Sequence, residues 1–192
     1  MPIAEVVGIK EALTASVEVT KAGVEEVARE SIRTAAQEIR DGFPEYLERM
    51  EAQKRLREID SWIGEINPNF DPFDIESPYC NNCGSCAYAV YRRLQGEADI
   101  VASATNIGYN SQMEALTGLK QVPMSPEAIQ EYLLEQGSGA HAIIGVDRAY
   151  GPGHWFNAAN IDGRIVAIDG QNGTVTGWPP DYGNVVRWEI SV

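Results

Sequence analysis

Two cysteines stand three positions apart in NNCGSCAYAVYRRLQG, residues 81–96, and a third, Cys80, immediately precedes the stretch. Thiols clustered this closely can hold a metal, form a disulfide or supply a nucleophile. Three is an odd set packed into seven positions, which suits a local site better than a disulfide framework. Cys80, Cys83 and Cys86 with one histidine would make a Cys3His zinc set. Structural zinc, however, draws its C-x2-C pairs from two separate knuckles, whereas these thiols share one segment that is turning into a helix. A redox dithiol is a weaker reading still. The expectation is no metal and no cofactor, which leaves the thiols as small core residues or as a nucleophile. A thiol attacks as its thiolate, which the free amides and partial positive charge of a helix N-terminus stabilise. Cys83 falls where that helix begins, after Asn82, a residue that favours caps. Cys83, Ala87, Val90 and Leu94 share one helical stripe, so Cys83 points with the apolar face into the domain. Cys86 shares its stripe with Val90 but also with Arg93, and reads as less clearly inward.

An activated cysteine needs a base held in one tautomer, and the segment GPGHWFNAANIDGRIVAIDGQNG offers one. Asp162-Gly163 is a strong two-residue hairpin signal. If it forms the turn, His154 faces Gln171 and Phe156 faces Asp169 across the two strands. Period-two alternation then puts His154, Phe156, Asp169 and Gln171 on one face, with His154 and Asp169 diagonal neighbours. Trp155, Ala159, Val166 and Ile168 turn to the other, core-like face. His141, at the start of AHAIIGV, reads as structural.

Those side chains need a scaffold, and the chain supplies two regions of different character. Residues 1–66 carry 9 basic and 14 acidic side chains, residues 67–192 carry 6 and 14. The first region has no cysteine, and its apolar residues recur at helical spacing: Val24, Val27 and Ala28, then Ala35 and Ile39, later Leu56, Ile59 and Ile63. Gly42-Phe43-Pro44 interrupts it, predicting two or three helices. No clean heptad persists, so the region reads as a helical arm more readily than as a coiled coil. Asn67 to Asp74 is a loop and marks the boundary. Beyond it come the cysteine helix, a long connection containing glycine and asparagine, and a second helix announced by Ser125-Pro126-Glu127. Strands follow at Ala140–Val146, His154–Asn160, Arg164–Asp169 and Val185–Val192. Helices first and an antiparallel sheet afterwards define an α+β domain over 67–192 behind a helical N-terminal region over 1–66.

A net charge of −13 argues against nucleic acid and anionic membrane surfaces as partners. No run approaches the roughly 18 apolar residues of a membrane span. The first residues lack the features of a signal peptide. The expectation is synthesis in the cytoplasm and, if the protein is exported, delivery without a Sec signal.

The same motifs resemble a family, the papain-fold toxins of the toxin glutamine deamidase group in bacterial polymorphic toxin systems. Its pattern is an Asn-Cys-x-x-Cys helix ending in Leu-x-Gly, then Gly-His-x-x-Asn, then Asp-x-Gln-x-Gly. Here Asn82-Cys83 through Leu94 and Gly96, Gly153-His154 with Asn157, and Asp169 with Gln171 and Gly173 stand in those places. The resemblance covers roughly residues 67–192 and is specific in combination. It implies a papain-like fold, a Cys-His-Asp triad, a protein substrate deamidated at a glutamine side chain, and an immunity protein as a further partner. The string CGSC is also similar to papain proteases, whose second cysteine is the nucleophile, so Cys86 stays as the alternative to the favoured Cys83. In this reading Cys83 attacks, His154 is the base and Asp169 orients it. The oxyanion is held by the Cys83 amide with the side chain of Asn82 or Gln171, although Gln171 could simply satisfy the hairpin end. The rival readings are a papain-like peptidase and a catalytically inactive binding or assembly protein.

Overall fold

The structure, a computed structural model, describes residues 3–192, with side chains at position 21 and from position 23 onward. The charged N-terminal region is one helix, α1 (Ile3–Trp62), and not two or three. Pro44 sits inside it without ending it. A proline removes one i→i−4 bond and crowds the carbonyl four residues back, a cost of about 3 kcal/mol. The Glu, Arg, Leu, Met and Ala residues around it are good helix formers, and the helix resumes beyond it.

The chain divides into two compact units, Met1–Glu48 and Arg49–Val192. The described residues of the first are all helix. The second begins with the last turns of α1, ahead of the compositional boundary at 66/67, because Leu56, Ile59 and Trp62, followed by Ile63 and Ile66, belong to a hydrophobic core. Beyond them come α2 (Cys83–Leu94), α3 (Asn110–Thr117), β1 (Gln121–Pro123), α4 (Pro126–Glu135), β2 (His141–Arg148), β3 (His154–Ile161), β4 (Arg164–Asp169), β5 (Thr174–Gly177) and β6 (Val185–Ser191). All six strands join one antiparallel sheet in the order β1-β6-β2-β3-β4-β5.

Ser125 caps α4 by accepting from the Ala128 amide at 3.3 Å, with Pro126 in the first turn. The long connection after α2 is not all loop, since it contains α3. That helix starts where the Gln112 side chain accepts from the Gly108 and Tyr109 amides at 3.0 and 3.1 Å, and it stops at Gly118 with φ 74°. Strands β1 and β5 are too short, at three and four residues, to show a period in sequence.

The β3–β4 hairpin has the expected register, from Asn157 opposite Ile168 to Ile161 opposite Arg164. Asp162 and Gly163 both take positive φ, 51° and 86°, the pair a type I′ turn demands. Both faces of the hairpin are buried, where only one was expected to be core-like. Cys86, Ala89 and Val90 of α2 cover Ala159, Val166 and Ile168. Ile129 and Leu133 of α4 cover Phe156, Ala158 and Ala167 on the other side. Every residue of β3 is consequently buried.

Where α2 crosses the sheet the packing leaves no room for one methyl group. A Cβ on Gly170 would lie 2.6 Å from Val90 Cγ2, 2.9 Å from Ile66 Cγ2 and 3.1 Å from the Cys86 carbonyl. Gly170→Ala should therefore force the helix off the sheet next to Asp169. The expected cost is about 1–3 kcal/mol, read as a fall in melting temperature of roughly 3–10 °C.

Candidate active site

The start of α2 meets the ends of β3 and β4 at a cleft of about 460 Å³. Its walls include Cys83 of α2, His154 of β3, Asp169 of β4 and Gln171 of the turn that follows. Cys83 is the first residue of α2 and is half-buried at the cleft. The residue after it has to be glycine. A Cβ at Gly84 would sit 2.2 Å from the Ile107 carbonyl oxygen, so the loop before α3 can lie against the helix start only because there is none.

His154 is at the first position of β3 and is buried. Its Nε2 lies 2.8 Å from Asp169 Oδ2, the contact that the hairpin register predicts for diagonal neighbours. With Nε2 taken by the carboxylate, Nδ1 is the ring nitrogen left free at the cleft that Cys83 also lines. Burial alone would lower the pKa of His154. The hydrogen bond and charge of Asp169, together with the nearby Cys83 thiol, outweigh it and raise the pKa from 6.5 to about 9. Asp169 moves the opposite way. Burial favours its neutral form, but the bond to His154, the imidazolium charge, and bonds from Tyr182 and the Gln171 amide hold it below its ordinary 3.8.

Asp169 is unusually well held. Its Oδ2 also accepts from the Tyr182 hydroxyl at 2.9 Å and Asn172 Nδ2 at 3.2 Å, while Oδ1 accepts from the Gln171 amide at 3.0 Å. The Tyr182 ring stands edge-on to the His154 imidazole, with centroids 4.8 Å apart. Neither Tyr182 nor Asn172 was among the residues picked from sequence. Asn172 belongs to the turn that follows Asp169 and could have been suspected. Tyr182 comes from the loop between β5 and β6, and no local pattern ties PPDYGN to the hairpin. Tyr182→Phe should leave the fold intact and remove one hydrogen bond to a charged group. The expected loss is about 1.5–3 kcal/mol in urea unfolding.

The three thiols face three different ways. Cys80 Sγ donates to the Asp71 carbonyl at 2.9 Å. Cys86 is fully buried and donates to Asn82 Oδ1 at 3.4 Å, so it is more inward than its stripe suggested. The reason is that Arg93, which made that stripe look polar, is itself tucked in. Its guanidinium lies 5.6 Å from the Trp62 ring centre and reaches Glu65 at 3.1 Å. Burial, followed by the charges of Cys83 and Asp169, raises the pKa of Cys86, which keeps it a neutral thiol.

Asn82 does not have the orientation an oxyanion donor needs. Its side chain is fully buried and makes no capping bond to α2. Nδ2 donates to Asn67 Oδ1 at 3.2 Å and the Ser103 carbonyl at 3.0 Å, and Oδ1 accepts from Asn67 at 3.3 Å. Asn82 thus ties the helix start to two neighbouring loops. Gln171 does line the cleft, and its Nε2 donates to the Cys80 carbonyl at 2.8 Å. His141 bonds the Gly139 carbonyl through Nδ1 at 3.0 Å and packs on Tyr91, outside the cleft.

A cysteine at the head of a helix, packed across an antiparallel sheet that presents a histidine, is the plan of the papain-like cysteine hydrolases, and this domain is one of them. Residues 81–174 match the family described as papain fold toxin 1, glutamine deamidase. No curated protein matches the chain.

Proposed function

We propose that this protein deamidates a glutamine side chain of a target protein through a thioester on Cys83. The observation that carries the reading is one cleft holding a helix-terminal thiol and a hydrogen-bonded His154–Asp169 pair. The imidazole takes the thiol proton, and the thiolate attacks the carboxamide carbon. The oxyanion faces the Cys83 amide at the helix end, where the remaining amide hydrogen of Gln171 can assist. Imidazolium returns its proton to the departing nitrogen, and ammonia leaves the thioester. Neutral His154 then activates water, and hydrolysis releases glutamate and the free thiol. Asp169 keeps the imidazole oriented throughout. As in other toxins, an immunity protein that covers the cleft is the partner to expect.

Incubation with a cell lysate followed by peptide mass spectrometry tests this directly. A mass gain of about one dalton at particular glutamines, absent with Cys83→Ala, is the expected result. New chain termini without that gain would make the protein a peptidase, which the same residues could serve. A thiol-reactive probe at neutral pH tests for catalysis of either kind. If Cys83 reacts no faster than an ordinary thiol, and His154→Ala leaves its rate unchanged, the domain is a binding module.

A further inference from the structure

The first unit, Met1–Glu48, leaves large apolar side chains in solvent. Val24, Ile32, Ile39, Phe43 and Tyr46 project from α1 between 55% and 71% exposed. Val27 and Leu47 are exposed as well and stand to either side of them, but the spacing of these five is regular once a period of eleven replaces seven. Val24, Ala35 and Tyr46 recur at eleven, as do Ala28 and Ile39, and Ile32 and Phe43. Eleven residues make three turns at about 3.67 residues per turn, so these positions form one nearly straight stripe. A heptad drifts off it, which is why no clean heptad persists. The far side is polar, and several of its side chains pair with one another. Gln37 donates to Asp41 at 2.8 Å, Arg33 meets Glu30 at 3.4 Å, and the Pro44 ring also lies away from the stripe.

We propose that this stripe pairs in parallel with the same stripe of a second copy of the chain, as a coiled coil of eleven-residue repeats. Two features favour a second copy. The stripe is three positions wide in every eleven, the narrow seam of a helix pair and not the broad face that packs on a globular domain. It also repeats itself, so a copy in register meets like residues with like along its length. From Val24 to Tyr46 the seam runs about 33 Å at 1.5 Å per residue. The borders decide the direction. Arg29 and Arg40 fall on one border of the stripe and Glu38 on the other. A parallel pair sets one border against the opposite border, so each Arg40 meets Glu38 of the second copy. An antiparallel pair sets like borders together and brings Arg29 against Arg40.

Sedimentation of the full chain tests the proposal. At roughly 100 µM the expected mass is twice the chain's 21.0 kDa. The double variant Ile32→Glu/Ile39→Glu should halve it while the probe reactivity of Cys83 stays unchanged, which shows that the second unit is still folded. For direction, Ile39→Cys in a chain carrying Cys80→Ser and Cys83→Ser should oxidise to a covalent dimer. A single-chain mass at that concentration overturns the proposal. A dimer that survives the glutamates overturns the stripe, and a dimer that does not cross-link at this position overturns the parallel arrangement.

Discussion

Cys83→Ala is expected to lower kcat for deamidation by roughly 10⁴-fold or more, whereas Cys86→Ala should leave kcat within a few-fold of wild type. The contrast follows from where the two thiols sit. Cys83 opens α2 at the cleft that His154 also lines. Cys86 is fully buried one turn on, bonded to Asn82, with its pKa raised by burial and by the neighbouring charges. Removing it deletes one sulfur from the core and one weak hydrogen bond. That should appear as a stability loss of about 1–2 kcal/mol and nothing in the chemistry. Activity and urea unfolding measured on both variants separate the roles. Loss of activity in Cys86→Ala with Cys83→Ala still active would assign the nucleophile to the second cysteine, as in the papain proteases.

Asp169→Asn is the second large effect, and its signature is in pH. The wild-type imidazolium persists to about pH 9, so kcat/KM should fall on its alkaline side near that value as His154 loses its proton. Without the carboxylate, burial dominates and the alkaline limb should move down by roughly one to three units. The rate at the new optimum should still be about 10³–10⁴-fold lower, because the imidazole is no longer held in one tautomer. Stability carries the same signature. His154 titrates above its unfolded value of 6.5, so the stabilisation from the pair is complete below that and is lost as pH rises through about 9. Asp169 titrates below 3.8, so on the acid side the stabilisation holds above that value and is lost as pH falls through the lowered pKa. The stability gap between wild type and Asp169→Asn should be widest between about pH 4 and 6.5. A gap that does not vary with pH would mean that the pair is not charged in the folded protein.

Much of the site could be read from the chain alone because it rests on local rules. The turn Asp162-Gly163 sets a register, the register makes His154 and Asp169 diagonal neighbours, and the structure has that register and that 2.8 Å bond. The start of α2 at Cys83 was equally legible from the Asn-Cys-Gly context and the apolar stripe behind it. What failed was any inference about a side chain whose partner lies far along the chain. Asn82 looked like a cap, yet Asn67 and Ser103, 15 and 21 residues away, bind its amide and turn it inward. Arg93 made the Cys86 stripe look exposed until Trp62 and Glu65 covered it. Tyr182 reaches Asp169 from a loop with no periodicity. Pro44 looked like a helix break, and its neighbours' propensity carried the helix through. Periodicity and turn chemistry act over a few residues, so the sequence by itself determined the cysteine helix and the histidine's hairpin. Which face each element buries depends on what packs against it, and only the tertiary structure brought helix and hairpin to one cleft, with Cys83 lining it and Cys86 buried in the core.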